Sequence, residues 1–156
     1  MRAILLAVLF LPALARAGFD EAIQTYAVGD YPKALAEFKP LAEQGDVKSE
    51  YYVGFLYHHG YGVDVDDAIA AKWFEKAAAQ GDSDSMYYLG KMAEKGQGIP
   101  KDLIAAHMWL TLSANHAPNV RDAAYTREDV QKLEHKMSAD QIKKANQLAK
   151  AWKPEK

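Results

Sequence analysis

Five histidines are the residues of this sequence best suited to bind a metal ion or to act as a general base. His58 and His59 are adjacent, and adjacent side chains on a helix point about 100° apart, so they cannot meet one ion. The other three, His107, His116 and His135, have no histidine or carboxylate at the spacing of a known zinc motif. The chain has no cysteine, which excludes thiolate ligands, disulfides and a cysteine nucleophile. We therefore predict no metal site.

Nucleophilic catalysis and phosphate binding have no motif here either. No serine is followed three residues later by lysine, and G-x-S-x-G is absent. Residues 60–62 and 96–98 are Gly-x-Gly segments, but they lack the strand and the lysine of a phosphate-binding loop. The carboxylates of Asp66 and Asp67 stand at a predicted helix start, where they cap free backbone amides. We predict no catalytic residues and no cofactor, and we expect a protein that is not an enzyme.

The sequence contains an internal repeat, and the helices of this repeat position the other candidate side chains. Residues 44–78 align with residues 80–114 without a gap, at an offset of 36. Identical pairs include Gly54/Gly90, Gly60/Gly96, Gly62/Gly98, Asp66/Asp102 and Trp73/Trp109. A further step of 36 toward the N-terminus indicates a divergent first unit. The repeat region is predicted over residues 18–117, with units at about 19–44, 45–80 and 81–117.

Apolar residues recur at spacings of three and four within each unit, which predicts two helices per unit. The first helix of the middle unit should run from residue 47 to residue 59 and end at Gly60 in a left-handed cap. Asp30 and Asp66 precede the second helices of the first two units and should cap their free amides. The helix boundaries are therefore encoded locally.

Two residue types in the repeat predict how the helices pack. Gly54 and Gly90 lie inside predicted helices, where glycine costs about 1 kcal/mol relative to alanine. We infer that helices cross there too closely for a side chain. Trp73 and Trp109 should be buried between adjacent units, because each adds a large apolar area.

The two aligned units resemble the Sel-one-like repeat (SLR), a short solenoid repeat related to the tetratricopeptide repeat. The middle unit matches the SLR pattern at Val53, Gly54, Tyr57, Gly60, Gly62, Val63, Asp66, Ala70, Trp73, Ala77, Ala78 and Gly81. The next unit departs from it at Ala93, Ser113 and Ala117. The resemblance implies an all-α fold, a right-handed α/α solenoid of antiparallel helix pairs.

After Pro118 the period is lost but helical patterns continue, and we predict that residues 118–156 form helices that cap the solenoid. Ser138 followed by Gln141 is a capping box. Lysines crowd the end of this segment and suit the polar outer face that a terminal unit needs. Contact of these lysines with anionic lipid is the alternative, which interspersed acidic residues disfavour. Trp152 should pack inward.

Residues 1–17 have the layout of a secretory signal peptide. Arg2 precedes an apolar run, Pro12 breaks it, and the small residues Ala15 and Ala17 precede the expected cleavage site. The alternative, a membrane anchor, needs about 20 apolar residues, roughly twice the length of this run. We expect a bacterial periplasmic or secreted protein without stable membrane insertion. The formal net charge of -2 provides no basic face for nucleic acid.

The first helices of successive units line the concave face of a helical solenoid, which makes that face the candidate partner-binding site. At an offset of 36 its residues are Tyr52, Phe55, His59, Tyr88, Lys91 and Lys95, with Arg127 and Gln131 if the register persists. Tyrosine and arginine are favoured at interfaces. Partial burial of these side chains against the C-terminal helices is the alternative.

The resemblance implies a binding or scaffold module, because SLR proteins mostly act as adaptors. The module would capture a peptide or another protein without catalysis, and an inhibitor or immunity role toward a secreted toxin is a narrower version. The alternative is an envelope hydrolase acting on a cell-wall or lactam substrate, an activity credited to a cysteine-rich branch of the family. This chain lacks the cysteines of that branch.

Overall fold

The computed structural model describes the backbone of residues 7–155 and the side chains of residues 17–155. Residues 1–6 of the predicted signal peptide and Lys156 of the predicted cap lie outside this range. All regular structure within it is helical: α1 (Ala7–Ala27), α2 (Tyr31–Glu43), α3 (Val47–His59), α4 (Asp67–Ala79), α5 (Ser83–Lys95), α6 (Leu103–His116), α7 (Val120–Glu134) and α8 (Ala139–Ala151). The prediction of an all-α solenoid is confirmed.

The helices pack in chain order, and the odd-numbered ones meet on one face. From α1 to α7 each helix packs against the next, whereas α8 packs against α6. On the shared face, the ring centroid of Phe55 in α3 lies 6.3 Å from that of Tyr26 in α1. It lies 6.0 Å from the ring centroid of Tyr88 in α5. We call this surface the odd-helix face.

The helix ends follow the local sequence as predicted. The helix α3 begins and ends at the expected residues, and Gly60 follows it in the left-handed region with φ 67°. The side chains of Asp30 and Asp66 accept hydrogen bonds from the backbone amides three residues later, at 3.3 and 2.8 Å. Each cap satisfies a donor that the first helical turn leaves open. These boundary predictions are confirmed.

The Gly-x-Gly turns join neighbouring units as well as the two helices of one unit. Gly62 and Gly98 have φ values of 73° and 68°. A Cβ atom at Gly62 would lie 2.6 Å from the carbonyl carbon of Tyr31, at the start of α2. A Cβ atom at Gly98 would lie 2.8 Å from the backbone nitrogen of Ala68, in the first turn of α4. Each turn therefore contacts the second helix of the preceding unit so closely that only glycine fits.

The glycines inside helices mark close crossings, as the sequence predicts. A Cβ atom at Gly54 would lie 2.9 Å from the ring of Phe74 and 3.2 Å from the carbonyl oxygen of Ala70. At Gly90 it would lie 2.6 Å from Leu110. The two helices of a unit are thus in contact at a glycine. Packing at this density leaves no room for a methyl group.

A phenylalanine lies at the centre of the first two helix pairs and Leu110 at the centre of the third, so the expectation of buried tryptophans is wrong. Phe38 and Phe74, which are 36 residues apart, are fully buried. Trp73 and Trp109 are half-buried and contact the hydrophobic clusters from their edges. The Nζ atom of Lys76 lies 4.1 Å from the ring centroid of Trp73, so this ring also faces a solvated cation.

The last helix, α8, packs against α6 and closes the solenoid on the side of the even-numbered helices. The Ser138–Gln141 capping box is present in α8, which confirms that prediction. Trp152 packs against the hydrophobic cluster formed by α4, α5 and α6. Beyond it, the backbone amide of Glu155 donates to the carbonyl oxygen of Ala79 at 2.7 Å. The chain after α8 therefore runs back to the end of α4.

The first helix contains the site at which the predicted signal peptide would be cleaved. The helix α1 is 21 residues long and passes through Ala17 without a break. No helix in the described range combines the length and the apolarity needed to cross a bilayer.

Candidate functional site

Aromatic side chains from three units form a continuous surface on the odd-helix face, which we call the aromatic groove. Phe55 is its centre, with ring centroids at 4.2 Å from His59, 5.9 Å from Tyr51 and 6.0 Å from Tyr61. The groove comprises Tyr26, Tyr31, Tyr51, Tyr52, Phe55, His59, Tyr61 and Tyr88. All of these side chains are half-buried or exposed.

Four of the predicted site residues come together in this groove. They are Tyr52, Phe55, His59 and Tyr88, and the Nε2 atom of His59 lies 3.3 Å from the Tyr88 hydroxyl. Tyr52 and Tyr88 stack on the buried rings of Phe38 and Phe74, each pair with its centroids 4.8 Å apart. Each tyrosine therefore has one packed face and one accessible edge, which holds it in place for contact with a partner.

The two predicted lysines have different surroundings. The ammonium group of Lys91 lies 2.9 Å from Glu94 and 3.3 Å from Asp129, so its charge is balanced within the fold. The pKa of Lys91 is raised because the bonds to these carboxylates outweigh its burial. Lys95 is exposed and lines a hollow of about 190 Å³ beside Tyr88. Of these two lysines, Lys95 is the one that offers its charge at the surface of the groove.

Arg127 does not join this group, because the repeat register does not persist into α7. Tyr125 and Asp129 of α7 face Tyr87 and Lys91 of α5. The N-cap of α7, Asn119, follows the N-cap of α5, Asp82, by 37 residues rather than 36. Arg127 instead lines a separate hollow of about 300 Å³ between α6, α7 and α8. The connection between α6 and α7 does not have the length that the repeat would give it, so a different side of α7 faces α5.

The groove contains four aromatic residues that sequence reasoning did not select. Tyr26 and Tyr31 lie on either side of the turn between the two helices of the first unit, and Tyr61 lies in the equivalent turn of the middle unit. Tyr51 lies in α3, next to Tyr52. Tyr31 and Tyr61 stack with centroids 4.8 Å apart because the Gly-x-Gly turn brings them together. The aromatic content of the first unit was the available signal for Tyr26 and Tyr31. Burial raises the pKa of Tyr51, so its hydroxyl stays neutral at physiological pH.

The adjacent histidines His58 and His59 have different surroundings. The Nδ1 atom of His58 lies 2.6 Å from Asp67 Oδ1 at the start of α4. Burial lowers the pKa of His59, and the neighbouring His58 lowers it further, so His59 is neutral at pH 7. Within the described part of the chain, no cluster of three side chains could hold a metal ion.

Thr111, His107 and Glu134 contact one another in the order hydroxyl, imidazole, carboxylate that is used in nucleophilic catalysis. Thr111 Oγ1 lies 3.3 Å from His107 Nδ1, and His107 Nε2 lies 2.9 Å from Glu134 Oε1. Thr111 stands in the interior of α6, where the neighbouring amides are bonded within the helix and cannot stabilise an oxyanion. His107 is 1% exposed. This geometry fits a polar link between α6 and α7.

The comparisons with known proteins agree with this architecture. Residues 47–82 and 83–117 each match the Sel1 repeat. A protective antigen of uropathogenic Escherichia coli strains with an SLR fold is 27% identical, with a TM-score of 0.77 over 88% of this chain and 29% of the other. A Sel1 repeat protein from Oxalobacter formigenes is 26% identical, with a TM-score of 0.65 over 83% of this chain and 54% of the other. This chain thus spans less than two thirds of either protein. Curated protein sequences give no match.

Proposed function

Because the chain belongs to the Sel1-like repeat family, whose members are generally protein-interaction scaffolds, we propose that it captures a peptide or partner protein in the aromatic groove. The observation that carries this proposal is the unbroken chain of ring contacts from Tyr26 through Phe55 to Tyr88. Aromatic residues held by their neighbours offer large contact areas at little entropic cost.

The groove also has features that would orient a bound segment. The exposed Lys95 stands at the end of α5, where it can attract an acidic group of the partner. The hydroxyl groups of Tyr61 and Tyr88 lie at the edges of the apolar rings, and such groups fix a ligand by hydrogen bonds. These features support a peptide whose apolar side chains contact the rings.

We further propose that the protein acts after export, with residues 1–17 removed as a signal peptide. The layout of the first residues supports export into the bacterial periplasm or the medium. Cleavage after Ala17 would leave the second half of α1, which contains Phe19 and Tyr26. Those rings contact Tyr52, so the aromatic groove would keep the side chains that α1 contributes to it. Edman sequencing or intact mass measurement of the exported protein tests this proposal.

An inhibitory or toxin-neutralising role is a narrower version of the same function. Such a role requires that the groove bind one secreted protein and block its activity. Co-expression with the candidate toxin and measurement of its activity distinguish neutralisation from scaffolding.

The experiment that tests the groove compares two variants for partner capture. Phe55→Ala combined with Lys95→Glu removes the central ring and reverses the free charge. Trp73→Ala, on α4, removes a half-buried ring outside the groove as a control. The groove variant should lose a stoichiometric complex in size-exclusion chromatography, while the control variant retains it. Retained binding by the groove variant, with unchanged helical circular dichroism, would refute the assignment.

The alternative of an envelope hydrolase was suggested by the activity of a cysteine-rich branch of the family, and the Thr111–His107–Glu134 arrangement is the one structural observation in its favour. Purified protein incubated with a chromogenic cephalosporin provides the direct test. Turnover that is lost in His107→Gln would favour the hydrolase, and a stoichiometric complex without turnover would favour the binding module.

A further inference from the structure

The rings of the aromatic groove continue beyond Tyr88 onto the last odd-numbered helix. The ring centroid of Tyr87 lies 6.1 Å from that of Tyr88 and 6.1 Å from that of Tyr125 in α7. With the contacts of Phe55, these distances give an unbroken row of rings across α1, α3, α5 and α7, which we call the aromatic row. Tyr125 is 60% exposed and Tyr61 is 38% exposed, so rings at the end and the edge of the row face solvent.

The tyrosine hydroxyl groups of the aromatic groove lie close to one another. Burial raises the pKa of Tyr26 and of Tyr88. The neighbouring hydroxyls of Tyr31, Tyr52 and Tyr61 raise the pKa of Tyr26 further, because like charges at short distance repel. The hydroxyls of Tyr26 and Tyr88 are therefore protonated at physiological pH and can donate hydrogen bonds. The groove thus offers hydrogen-bond donors beside apolar rings.

The backbone of this face is already hydrogen-bonded, which argues against a partner that adds as a β-strand. All regular structure in residues 7–155 is helical, and the amides inside a helix bond to carbonyl groups of the same helix. Strand addition needs an exposed sheet edge. An ordinary extended peptide on these rings would leave its own buried N–H groups without partners, which costs free energy. A segment with few N–H groups avoids that cost.

The close spacing of the rings argues against a bound helix. A helix docks by inserting its side chains into holes between the side chains of the receiving surface. The ring of Phe55 has neighbours at 4.2 Å (His59), 5.9 Å (Tyr51) and 6.0 Å (Tyr61) between centroids. Aromatic rings at these separations are in contact. The space around Phe55 is therefore filled, so a flat side chain packs on it better than a branched one.

A proline-rich segment has the properties that this surface requires. Proline has no backbone N–H, and proline-rich segments adopt the polyproline II (PPII) conformation, whose carbonyl groups are free to accept hydrogen bonds. Because PPII forms before binding, little conformational entropy is lost on an aromatic-lined groove. One PPII residue rises about 3.1 Å. The ring-to-ring steps of 6.3 Å from Tyr26 to Phe55 and 6.0 Å from Phe55 to Tyr88 each match about two such residues.

The lysines beside the groove indicate the charge of the occupant. Lys48 lies 5.9 Å from the ring centroid of Tyr51, but its ammonium group is 2.6 Å from Asp82, so its charge is balanced within the fold. Lys95 is exposed and lines a hollow together with Tyr88. Complementary charges steer and orient a partner. A proline-rich segment with an acidic residue at one end therefore complements the groove.

We propose that the occupant of the aromatic groove is a proline-rich segment in the PPII conformation, with an acidic residue at the end that reaches Lys95. Its proline rings lie on Phe55 and on the tyrosine rings, and its carbonyl groups accept hydrogen bonds from the hydroxyls of Tyr26 and Tyr61. The ammonium group of Lys95 pairs with the acidic side chain. The inference rests on the proposed function for the assignment of the groove as the binding site.

The test titrates synthetic peptides into the full chain by isothermal titration calorimetry. The peptides are capped oligoprolines of about eight residues, the length that spans the aromatic row in PPII, made without charge or with one glutamate at either end. An amphipathic, leucine-containing helical peptide is the comparison. The oligoprolines should bind and the helical peptide should not. One acidic oligoproline should bind about two- to fivefold more tightly than the neutral one, the range of an exposed ion pair.

Variants assign the binding to rings, hydroxyls and charge. Phe55→Ala should weaken the neutral oligoproline by about tenfold or more, as for the central anchor of an interface. Tyr26→Phe combined with Tyr61→Phe keeps both rings and should weaken it by about five- to tenfold through lost hydrogen bonds. Tyr57→Phe, at a half-buried tyrosine of α3 outside the groove, is the matched control and should bind normally. Lys95→Gln should remove the preference for glutamate.

Three results would overturn the inference: binding of the helical peptide but not of oligoproline, undiminished oligoproline binding by Phe55→Ala, or equal affinity of the neutral and both acidic peptides. Failure of the proposed function has a different signature. If Phe55→Ala combined with Lys95→Glu retains the stoichiometric partner complex, then the partner binds elsewhere, whatever oligoproline does. If that variant loses the partner but oligoproline does not bind the unmodified chain, then only the PPII assignment is wrong.

Discussion

The tight contact at Gly98 makes a quantitative prediction about how the units are held together. In Gly98→Ala, the new Cβ would lie 2.8 Å from the backbone nitrogen of Ala68 and closer still to the carbonyl group of Asp67. These are backbone atoms at the start of α4, so no side chain can move aside. The substitution should force the third unit away from the second.

The magnitude has two parts that the structure separates. Alanine at a positive φ costs about 1–2 kcal/mol, and overpacking a rigid site costs about 1–3 kcal/mol more. Gly45 has φ 87° and nothing within 4 Å of the position that a methyl group would take, so Gly45→Ala carries only the first cost. The free energy of unfolding should therefore fall by about 2–5 kcal/mol in Gly98→Ala and by about 1–2 kcal/mol in Gly45→Ala.

Urea unfolding followed by far-ultraviolet circular dichroism measures both variants under the same conditions. Repeat proteins can unfold in parts, so a broadened transition in Gly98→Ala alone would also indicate uncoupled units. If Gly98→Ala loses no more stability than Gly45→Ala, then the contact between the turn and α4 does not hold the units together, and our account of the repeat is refuted.

Three further predictions concern the core and its buried polar groups. Gly54→Ala should lower the free energy of unfolding by about 0–2 kcal/mol in urea, because overpacking against Phe74 exceeds the gain of about 1 kcal/mol in helix propensity. Burial raises the pKa of Glu50, so its ionised form opposes folding above that pKa. Glu50→Gln should therefore stabilise the protein at pH 7 and lose this advantage by pH 4, as thermal unfolding at both pH values would show. His107→Ala should cost about 2–4 kcal/mol in urea, because it removes a buried ring and the link between α6 and α7.

The local features of the fold are predictable from the sequence because each depends on a few neighbouring residues. Asp66 caps a helix through an amide three residues away, and Gly60 ends a helix through its own φ. The offset of 36 residues places Gly54 and Gly90 at equivalent crossings. Such features repeat whenever the sequence repeats, so the pattern of residue types is enough to locate them.

The candidate site is only partly predictable, because only those of its residues that recur in the repeat can be located from the sequence. Tyr52 and Tyr88 were found because they repeat. Tyr31 and Tyr61 belong to different units. They meet only because the Gly-x-Gly turn after α3 packs against the start of α2, in the preceding unit. Their contact depends on how two separate segments pack against each other. The spacing of residues along one helix gives no information about that packing.

The sequence by itself determined the helices, their caps and the repeat, because hydrogen bonding and apolar periodicity act over a few residues. Only the tertiary structure decided that α7 starts out of register with the period of 36, and that Asp129 rather than Arg127 faces α5. It likewise decided that Lys91 is paired with Glu94 and Asp129. The length of the connection after α6 and the packing of α7 on α6 set that register, and neither follows from the repeat pattern.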